Sequence, residues 1–297
     1  MDREEGEDEE EKRASIALVI GMGSFILLTQ IIALQLAPHF LLADVAAFQD
    51  PESLWNPLLF LGIIVSLTAF ILILIRFGGD RIVYFVMLAA VTITIYYVMA
   101  VLIPYPFIPE IVALALAVLL FKYPEWYVLN ATGLMIGGGA AAIFGVSLSI
   151  LPVLLFMVLL AVYDAIAVYK TKHMVSLAES VIDLRVPILF VLPRTRNFSL
   201  IDHNHNKDNR DGDKSMMEDG FFMGLGDAII PSVLVVSSFV SYELTASTLG
   251  AIIGTMAGYG VLSCFVGTGR PHAGLPFLNS GAILGFIIGY VVLFTTF

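Results

Sequence analysis

The sequence has few charged residues and a single cysteine. Charged residues make up 13% of its 297 positions and hydrophobic residues 59%, whereas soluble domains are about a quarter charged. This composition excludes an ordinary soluble domain. Cys264 is the only cysteine, which excludes an internal disulfide and a cysteine-based metal site. The net charge of −10 comes largely from the first dozen residues, and no basic patch with interleaved aromatic residues predicts binding to nucleic acid.

The motifs of two other membrane hydrolase classes are also missing. No His-Glu-x-x-His sequence is present, as a membrane zinc protease would need. No Gly-x-Ser-x-Gly sequence is present either, and the five histidines, which could activate a serine, fall in loops or at the ends of apolar segments. We therefore expect no metal ion and no cofactor.

Apolar segments of ~20 residues recur along the whole chain. That length crosses the ~30 Å hydrocarbon core of a bilayer as an α-helix, and the segments are too continuously apolar for the ~10-residue alternating strands of a membrane barrel. We predict an all-α, polytopic protein of the cell membrane with about nine transmembrane helices. The predicted spans are residues 15–37, 56–77, 82–103, 107–122, 126–148, 150–169, 220–241, 246–267 and 276–297.

The distribution of basic residues supports this count of nine. With nine spans, all fifteen Lys and Arg residues fall in the N-terminal tail and in connections on one side. The connections on the other side carry no basic residue, and their charged residues are Asp44, Asp50, Glu52 and Glu243. Because basic residues are enriched on the cytoplasmic side of membrane proteins, the sequence predicts a cytoplasmic N-terminus and an external C-terminus.

The spans and the charges divide the chain into four segments. Residues 1–14 are mostly acidic and predict a disordered cytoplasmic tail, because like charges repel one another. Residues 15–169 hold spans one to six, and residues 220–297 hold spans seven to nine. Between them, residues 170–219 form a long cytoplasmic loop. Its short apolar patch, Val186–Leu192, is too short to cross the membrane.

Two aspartates lie inside apolar spans. Asp164 is in span six, six residues before Lys170, and Asp227 is in span seven, eight residues after Asp219. Because an ionisable group inside a membrane is costly, each is a candidate functional residue. At 1.5 Å per residue, Asp164 lies ~9 Å and Asp227 ~12 Å below the cytoplasmic surface. If spans six and seven are antiparallel neighbours, the two carboxyl groups therefore lie at nearly the same depth.

A pair of carboxyl groups away from bulk water has several uses. Both cannot easily ionise, so one tends to keep its proton. A pair that shares a proton supplies a general base and a general acid for peptide hydrolysis. Paired intramembrane acids also bind ions in proton- or sodium-coupled transporters, and a hydrogen-bonded pair can be purely structural. The depth match alone leaves the protease, the ion-coupled transporter and the structural pair open.

Short motifs around the two aspartates favour the protease. Tyr163-Asp164 and, one span later, Gly224-Leu225-Gly226-Asp227 resemble the paired motifs of the presenilin and signal-peptide-peptidase family of intramembrane aspartyl proteases. Nine spans with a long cytoplasmic loop between spans six and seven are also similar to that family. The predicted orientation matches that of presenilins, and the small size resembles an archaeal presenilin homologue.

A third motif of that family, Pro-Ala-Leu, stands at the cytoplasmic start of the last span. Here the corresponding sequence is Ala273-Gly274-Leu275-Pro276, so the first proline and the alanine are replaced. A proline at a helix start leaves backbone groups free to shape the site or to pair with an extended substrate. The departure from the motif makes this element a weaker match than the two aspartates.

The resemblance implies a function and a set of site residues. It implies that Asp164 and Asp227 hydrolyse peptide bonds of transmembrane substrates within the bilayer. It leaves a homo-oligomer open and suggests self-cleavage near Val186–Leu192. The residues that it implies for positioning the substrate are Tyr163, Gly224, Leu225, Gly226, Gly274, Leu275 and Pro276.

Overall fold

The computed structural model describes residues 2–171, 189–194, 220–266 and 273–295. This described part contains nine α-helices, a π-helical turn at Ala167–Thr171 and two short strands. The helices are α1 (Asp2–Leu42), α2 (Trp55–Arg76), α3 (Asp80–Leu102), α4 (Ile108–Lys122), α5 (Trp126–Ser147), α6 (Ile150–Ile166), α7 (Leu225–Tyr242), α8 (Ala246–Val266) and α9 (Leu275–Thr295). Eight of them are long and apolar enough to cross a membrane, and α4, with 15 residues, is the shorter exception. The predicted all-α membrane fold is confirmed.

Helix boundaries differ most from the predicted spans at α1 and α7. Helix α1 begins at Asp2 and therefore includes the acidic segment that the sequence predicts to be a disordered tail. Glutamate is a good helix former, and negative charge is favoured at the positive N-terminal end of the helix dipole. The predicted seventh span begins at residue 220, whereas α7 begins at Leu225. The five residues before Leu225 form a β-strand instead.

The two strands form an antiparallel ribbon directly before α7. Strand β1 is Leu189–Pro193 and strand β2 is Gly220–Gly224, paired so that Val191 lies opposite Phe222. Glycine is a poor helix former and phenylalanine favours strands, so this segment becomes extended where a partner strand is available. Strand β1 contains the last residues of the predicted apolar patch. The rest of the predicted loop lies outside the described residues, apart from residues 170–171 and 194.

Helix α5 is the most buried of the candidate membrane helices, and three consecutive glycines let its neighbours approach closely. A Cβ at Gly138 would overlap the side chain of Ile32 on α1, and a Cβ at Gly139 would overlap Val98 on α3. Small residues allow membrane helices to pack backbone against backbone. The glycines therefore make α5 the helix on which α1 and α3 both rest.

Helices α8 and α9 are joined by a second set of glycines. A Cβ at Gly254 on α8 would overlap the carbonyl oxygen of Gly281 on α9, and a Cβ at Gly250 would overlap that of Gly285. Spacing of small residues by four places them on one helix face, which is typical of closely packed membrane helices. Helix α9 also packs against α6 and α7. Its N-terminus is thereby held next to the two helices that carry the aspartates.

Candidate active site

Asp164 lies near the end of α6, with 5% of its surface exposed. Its Oδ2 accepts a hydrogen bond from the backbone N–H of Leu275, at 3.2 Å. Leu275 is the first residue of α9, and the first N–H groups of a helix have no acceptor within the helix. A carboxylate at this place also faces the positive end of the α9 dipole. The side chain of Asp164 therefore caps the start of α9.

Asp227 is the third residue of α7 and is partly buried. Its carboxyl group lies beside Gly274, where a Cβ would stand 3.1 to 3.2 Å from Oδ1, Cγ and Oδ2. The same Oδ2 lies 3.4 Å from the position of a Cβ at Gly224, the last residue of β2. Glycine at position 274 thus leaves the room that the carboxyl group occupies.

The two carboxyl groups border consecutive residues of one backbone segment, Gly274–Leu275. Asp164 is hydrogen-bonded to the second of these residues, and Asp227 is adjacent to the first. Helices α6 and α7 pack against each other and against α9. The structure therefore brings the two sequence-predicted aspartates together, with the predicted third motif between them.

The first turn of α9 is arranged so that one backbone donor is left for Asp164. The carbonyl oxygen of Gly274 accepts hydrogen bonds from the N–H groups of Phe277 and Leu278, at 3.1 and 3.2 Å. Pro276 has no N–H, and as the second residue of the helix it removes no intrahelical bond. The N–H of Leu275 is the donor that remains, and it is bonded to Asp164.

Comparisons with known proteins place the chain in a family. The model of the family described as signal-peptide peptidase, presenilin aspartyl protease matches residues 22–295. The chain belongs to this family. It is similar to two solved structures of a presenilin family intramembrane aspartate protease, in space groups C222 and P2, with 38% and 40% identity. Each similarity covers 92% of this chain, and 99% and 97% of the other chain, with TM-scores of 0.67 and 0.66. No curated protein matches the chain.

As a member of this family, the chain is an intramembrane aspartyl protease that acts on transmembrane substrates within the bilayer. The predicted protease function is therefore confirmed, and nothing in the comparisons supports the ion-coupled transporter. Within the residues that the structure describes, no three His, Cys, Asp or Glu side chains are grouped to hold a metal ion.

The other predicted site residues of the protease have different surroundings. Leu225 is buried, and its Cδ1 lies 3.2 Å from the position of a Cβ at Gly133 on α5. It therefore anchors the start of α7 to the core. Gly226 is exposed, and a Cβ there would meet no atom within 4 Å. Tyr163 is half-buried beside Asp164. Its part in positioning substrate stays a prediction.

Sequence reasoning missed one polar residue next to the site, Asn130 on α5. Its Nδ2 donates a hydrogen bond to the carbonyl oxygen of Val191, at 2.7 Å, and its Oδ1 accepts one from the N–H of Val191, at 2.8 Å. An amide side chain inside a membrane span is a signal that the side chain has a partner in the protein. The sequence does not show which partner, because Val191 is 61 residues away.

Proposed function

We propose that Asp164 and Asp227 are the catalytic pair of this intramembrane aspartyl protease. The observation that carries the proposal is the shared segment Gly274–Leu275, against which both carboxyl groups lie. Peptide hydrolysis by two carboxyl groups requires both of them within reach of one peptide bond. Helices α6, α7 and α9, which are distant in sequence, bring the two carboxyl groups together here. Hydrolysis by such a pair needs neither the metal ligands nor the histidine bases of other hydrolases.

In the proposed reaction, one carboxylate removes a proton from a water molecule as the water oxygen attacks the carbonyl carbon of the peptide bond. The other carboxyl group donates its proton to the carbonyl oxygen, which gives a tetrahedral intermediate. The C–N bond then breaks while the first carboxyl group protonates the leaving nitrogen. The second carboxylate takes a proton back from the intermediate. The products are a new carboxyl group and a new amine, and no covalent bond to the protein forms.

The outer edge of β2 offers the substrate a backbone to pair with. Both backbone groups of Val191 are bonded to Asn130, so Val191 and its partner Phe222 form a non-hydrogen-bonded pair. The N–H and C=O of Phe222 therefore point away from β1. An extended segment can add to such an edge through main-chain hydrogen bonds. This would hold an unwound part of the substrate close to Asp227, five residues further along the chain.

The glycines near Asp227 have separate roles in this proposal. Gly274 and Gly224 leave room for the carboxyl group of Asp227 itself. Gly226 faces open space, and the absence of a side chain there leaves room for the substrate. Leu225 and Pro276 position the starts of the two helices, and Tyr163 packs against the opened substrate segment.

The proposed orientation places the N-terminus and the catalytic pair toward the cytoplasm. Arg76 is the last residue of α2, Arg81 is the second residue of α3 and Lys122 is the last residue of α4. Helices that cross the membrane in alternate directions would put all three on one side. Basic residues favour the cytoplasmic side. The substrate would then be cut near the cytoplasmic end of its own transmembrane helix.

Replacement of either aspartate tests the proposal. In liposomes that contain a single-span test substrate, Asp164→Ala and Asp227→Ala are each expected to lower the cleavage rate by at least about 100-fold, because each removes an acid–base group. Asp164→Asn and Asp227→Asn are expected to do the same, since an amide cannot exchange the proton. The cleavage products are measured by mass spectrometry.

The control for this experiment is Glu110→Gln, which removes a carboxyl group from α4, away from the three helices of the site. It is expected to cleave at the wild-type rate. Near wild-type cleavage by a folded Asp164→Ala or Asp227→Ala variant would remove that aspartate from the mechanism.

A further inference from the structure

We infer that Asn130 is a positioning residue of the protease, which fixes the register of the β1–β2 ribbon and thereby decides which substrate peptide bond reaches Asp227. The inference rests on the proposed function. Asn130 touches neither aspartate in the hydrogen bonds described above. It acts through Val191, strand β2 and the junction between β2 and α7.

Asn130 takes the place of a neighbouring strand on β1. It is 4% exposed, and its amide group provides both the donor and the acceptor that the backbone of Val191 requires. A third strand would make the same two bonds at this position. Backbone groups without partners are costly in a water-poor interior. The amide group satisfies the edge of β1 beside which the described part of the chain places no other strand.

The apolar contacts of β1 hold it against the bundle and fix which of its faces is buried. Phe190 stacks on Phe25 of α1, with ring centroids 4.8 Å apart, and also lies against Gly133 of α5. Leu192 lies against Gly21 of α1. These contacts specify which face of β1 points to the bundle. The pair of hydrogen bonds to one residue adds a directional anchor that resists smaller shifts along the strand.

The position of β1 affects Asp227 through β2, because β2 pairs with β1 and leads directly into α7. With Val191 held by Asn130, the hydrogen-bonded pairs are those of Phe190 with Met223 and Leu192 with Phe221. Strand β2 ends at Gly224, which also precedes the first residue of α7 and lies next to the carboxyl group of Asp227. Because β2 is joined directly to α7, a displacement of β1 would tilt the ribbon about Gly224 and thereby move its outer edge relative to the aspartate.

The test compares variants that lose buried side-chain hydrogen bonds to the backbone, either at the β1–β2 ribbon or elsewhere in the bundle. Asn130→Leu removes both hydrogen bonds to Val191 while it keeps the side-chain size. Ser237→Ala is the control, because buried Ser237 donates a comparable bond, at 2.7 Å, to the carbonyl oxygen of Leu148, away from the ribbon. Asn130→Gln keeps both the N–H donor and the C=O acceptor of the side-chain amide. All are measured in proteoliposomes with one test substrate, beside wild type and the two aspartate-to-alanine variants.

The expected result has two parts. Per folded enzyme, Asn130→Leu lowers kcat by about tenfold or more, since small misplacements are costly in catalysis, and it spreads cleavage over neighbouring peptide bonds, read by mass spectrometry. Ser237→Ala keeps the wild-type rate and cleavage position even if it lowers thermal stability as much. Asn130→Gln keeps the wild-type cleavage position. If Asn130→Leu does not fold, Asn130→Asp, which keeps only the acceptor, takes its place.

The outcomes separate this inference from the proposed function. Wild-type rate and an unchanged cleavage position in Asn130→Leu, with both aspartate variants inactive, would overturn the inference alone. The same loss of rate in Asn130→Leu and Ser237→Ala, with one cleavage position in both, would also overturn it, because that pattern indicates a purely structural role. Cleavage by the aspartate variants would instead overturn the proposed function.

Discussion

Gly274 carries only a hydrogen atom where it meets the carboxyl group of Asp227. A Cβ there would stand 3.1 to 3.2 Å from three atoms of that group, closer than an unstrained contact between carbon atoms. The next residue, Leu275, donates its N–H to Asp164. A branched side chain at position 274 would therefore act on one aspartate while it disturbs the helix start that holds the other.

Gly274→Val is expected to lower kcat by about tenfold or more, because its branched side chain displaces the carboxyl group of Asp227 from its place. Its effect on KM and on thermal stability is expected to be small, since position 274 precedes α9 and lies outside the core of the bundle. Gly274→Ala restores the alanine of the family motif and is expected to remain active. The measurement is steady-state cleavage in proteoliposomes together with thermal unfolding in detergent.

Gly260→Val is the matched control, because a Cβ at Gly260 on α8 would meet no atom within 4 Å. It is expected to keep the wild-type kcat. Equal kcat values for Gly274→Val, Gly260→Val and wild type would contradict the close approach of Gly274 to the carboxyl group of Asp227.

The aspartates could be predicted from the sequence because ionisable residues are rare in membrane spans and their depth follows from helix geometry. The role of Gly274 could be predicted only in part. The similarity to a known motif placed it at the start of the last span, but its contact with Asp227 depends on how α9 packs against α7. Packing of that kind is set by many side chains and is not visible in a local pattern.

At the scale of elements, the β1–β2 ribbon is the feature most specific to proteolysis. A helical substrate shields its own backbone, so it must become extended before a peptide bond can be attacked. Strand β2 leads directly into the helix that carries Asp227, and the backbone groups of Phe222 point away from β1. Substrate pairing at this edge would place the extended segment next to the catalytic pair.

A proline at position 222 tests the edge without touching the ladder of the ribbon. Phe222→Pro removes the N–H that points outward and retains the hydrogen bonds of the neighbouring residues to β1. We expect KM for the test substrate to rise several-fold. Phe222→Ala is the matched control, because it loses the same ring but keeps the N–H. Equal KM values for the two variants would exclude a role of this N–H in substrate binding.

Strand β2 could not be predicted from hydrophobicity, because a short apolar run is consistent with either a helix or a buried strand. The segment Gly220–Gly224 continues smoothly into the apolar residues of α7, so the prediction assigned both to one span. The glycines and adjacent phenylalanines were the available signal for a strand. Its partner, β1, is more than 25 residues earlier in the chain. Such non-local pairing cannot be predicted from the sequence of either segment alone.

At the scale of the whole molecule, the site is assembled from three helices that lie far apart in the chain. Asp164 on α6, Asp227 on α7 and the segment before α9 meet only when the bundle is packed. The glycines between α8 and α9 hold α9 close to its neighbour, and α9 in turn contacts α6 and α7. The geometry of the proposed catalytic pair and the packing of the bundle therefore depend on the same contacts.

The orientation of the bundle is the next prediction. In a background with Cys264 replaced by serine, Asp50→Cys is expected to react with a membrane-impermeant thiol reagent on intact cells, because its connection carries no basic residue. Arg81→Cys is expected to react only after lysis, because it lies on the basic side. Both positions are exposed in the structure. The opposite labelling pattern would show that the N-terminus is external.

The most direct measurement of the central claim is binding of a transition-state mimic for aspartyl proteases, since binding does not depend on the choice of substrate. A mimic of the tetrahedral intermediate must contact both carboxyl groups, and such compounds owe most of their affinity to that complementarity. The account predicts one binding site per wild-type chain and a loss of affinity of at least about 100-fold in Asp164→Asn and in Asp227→Asn alike. Wild-type affinity in either folded variant would contradict a single site formed by the two aspartates.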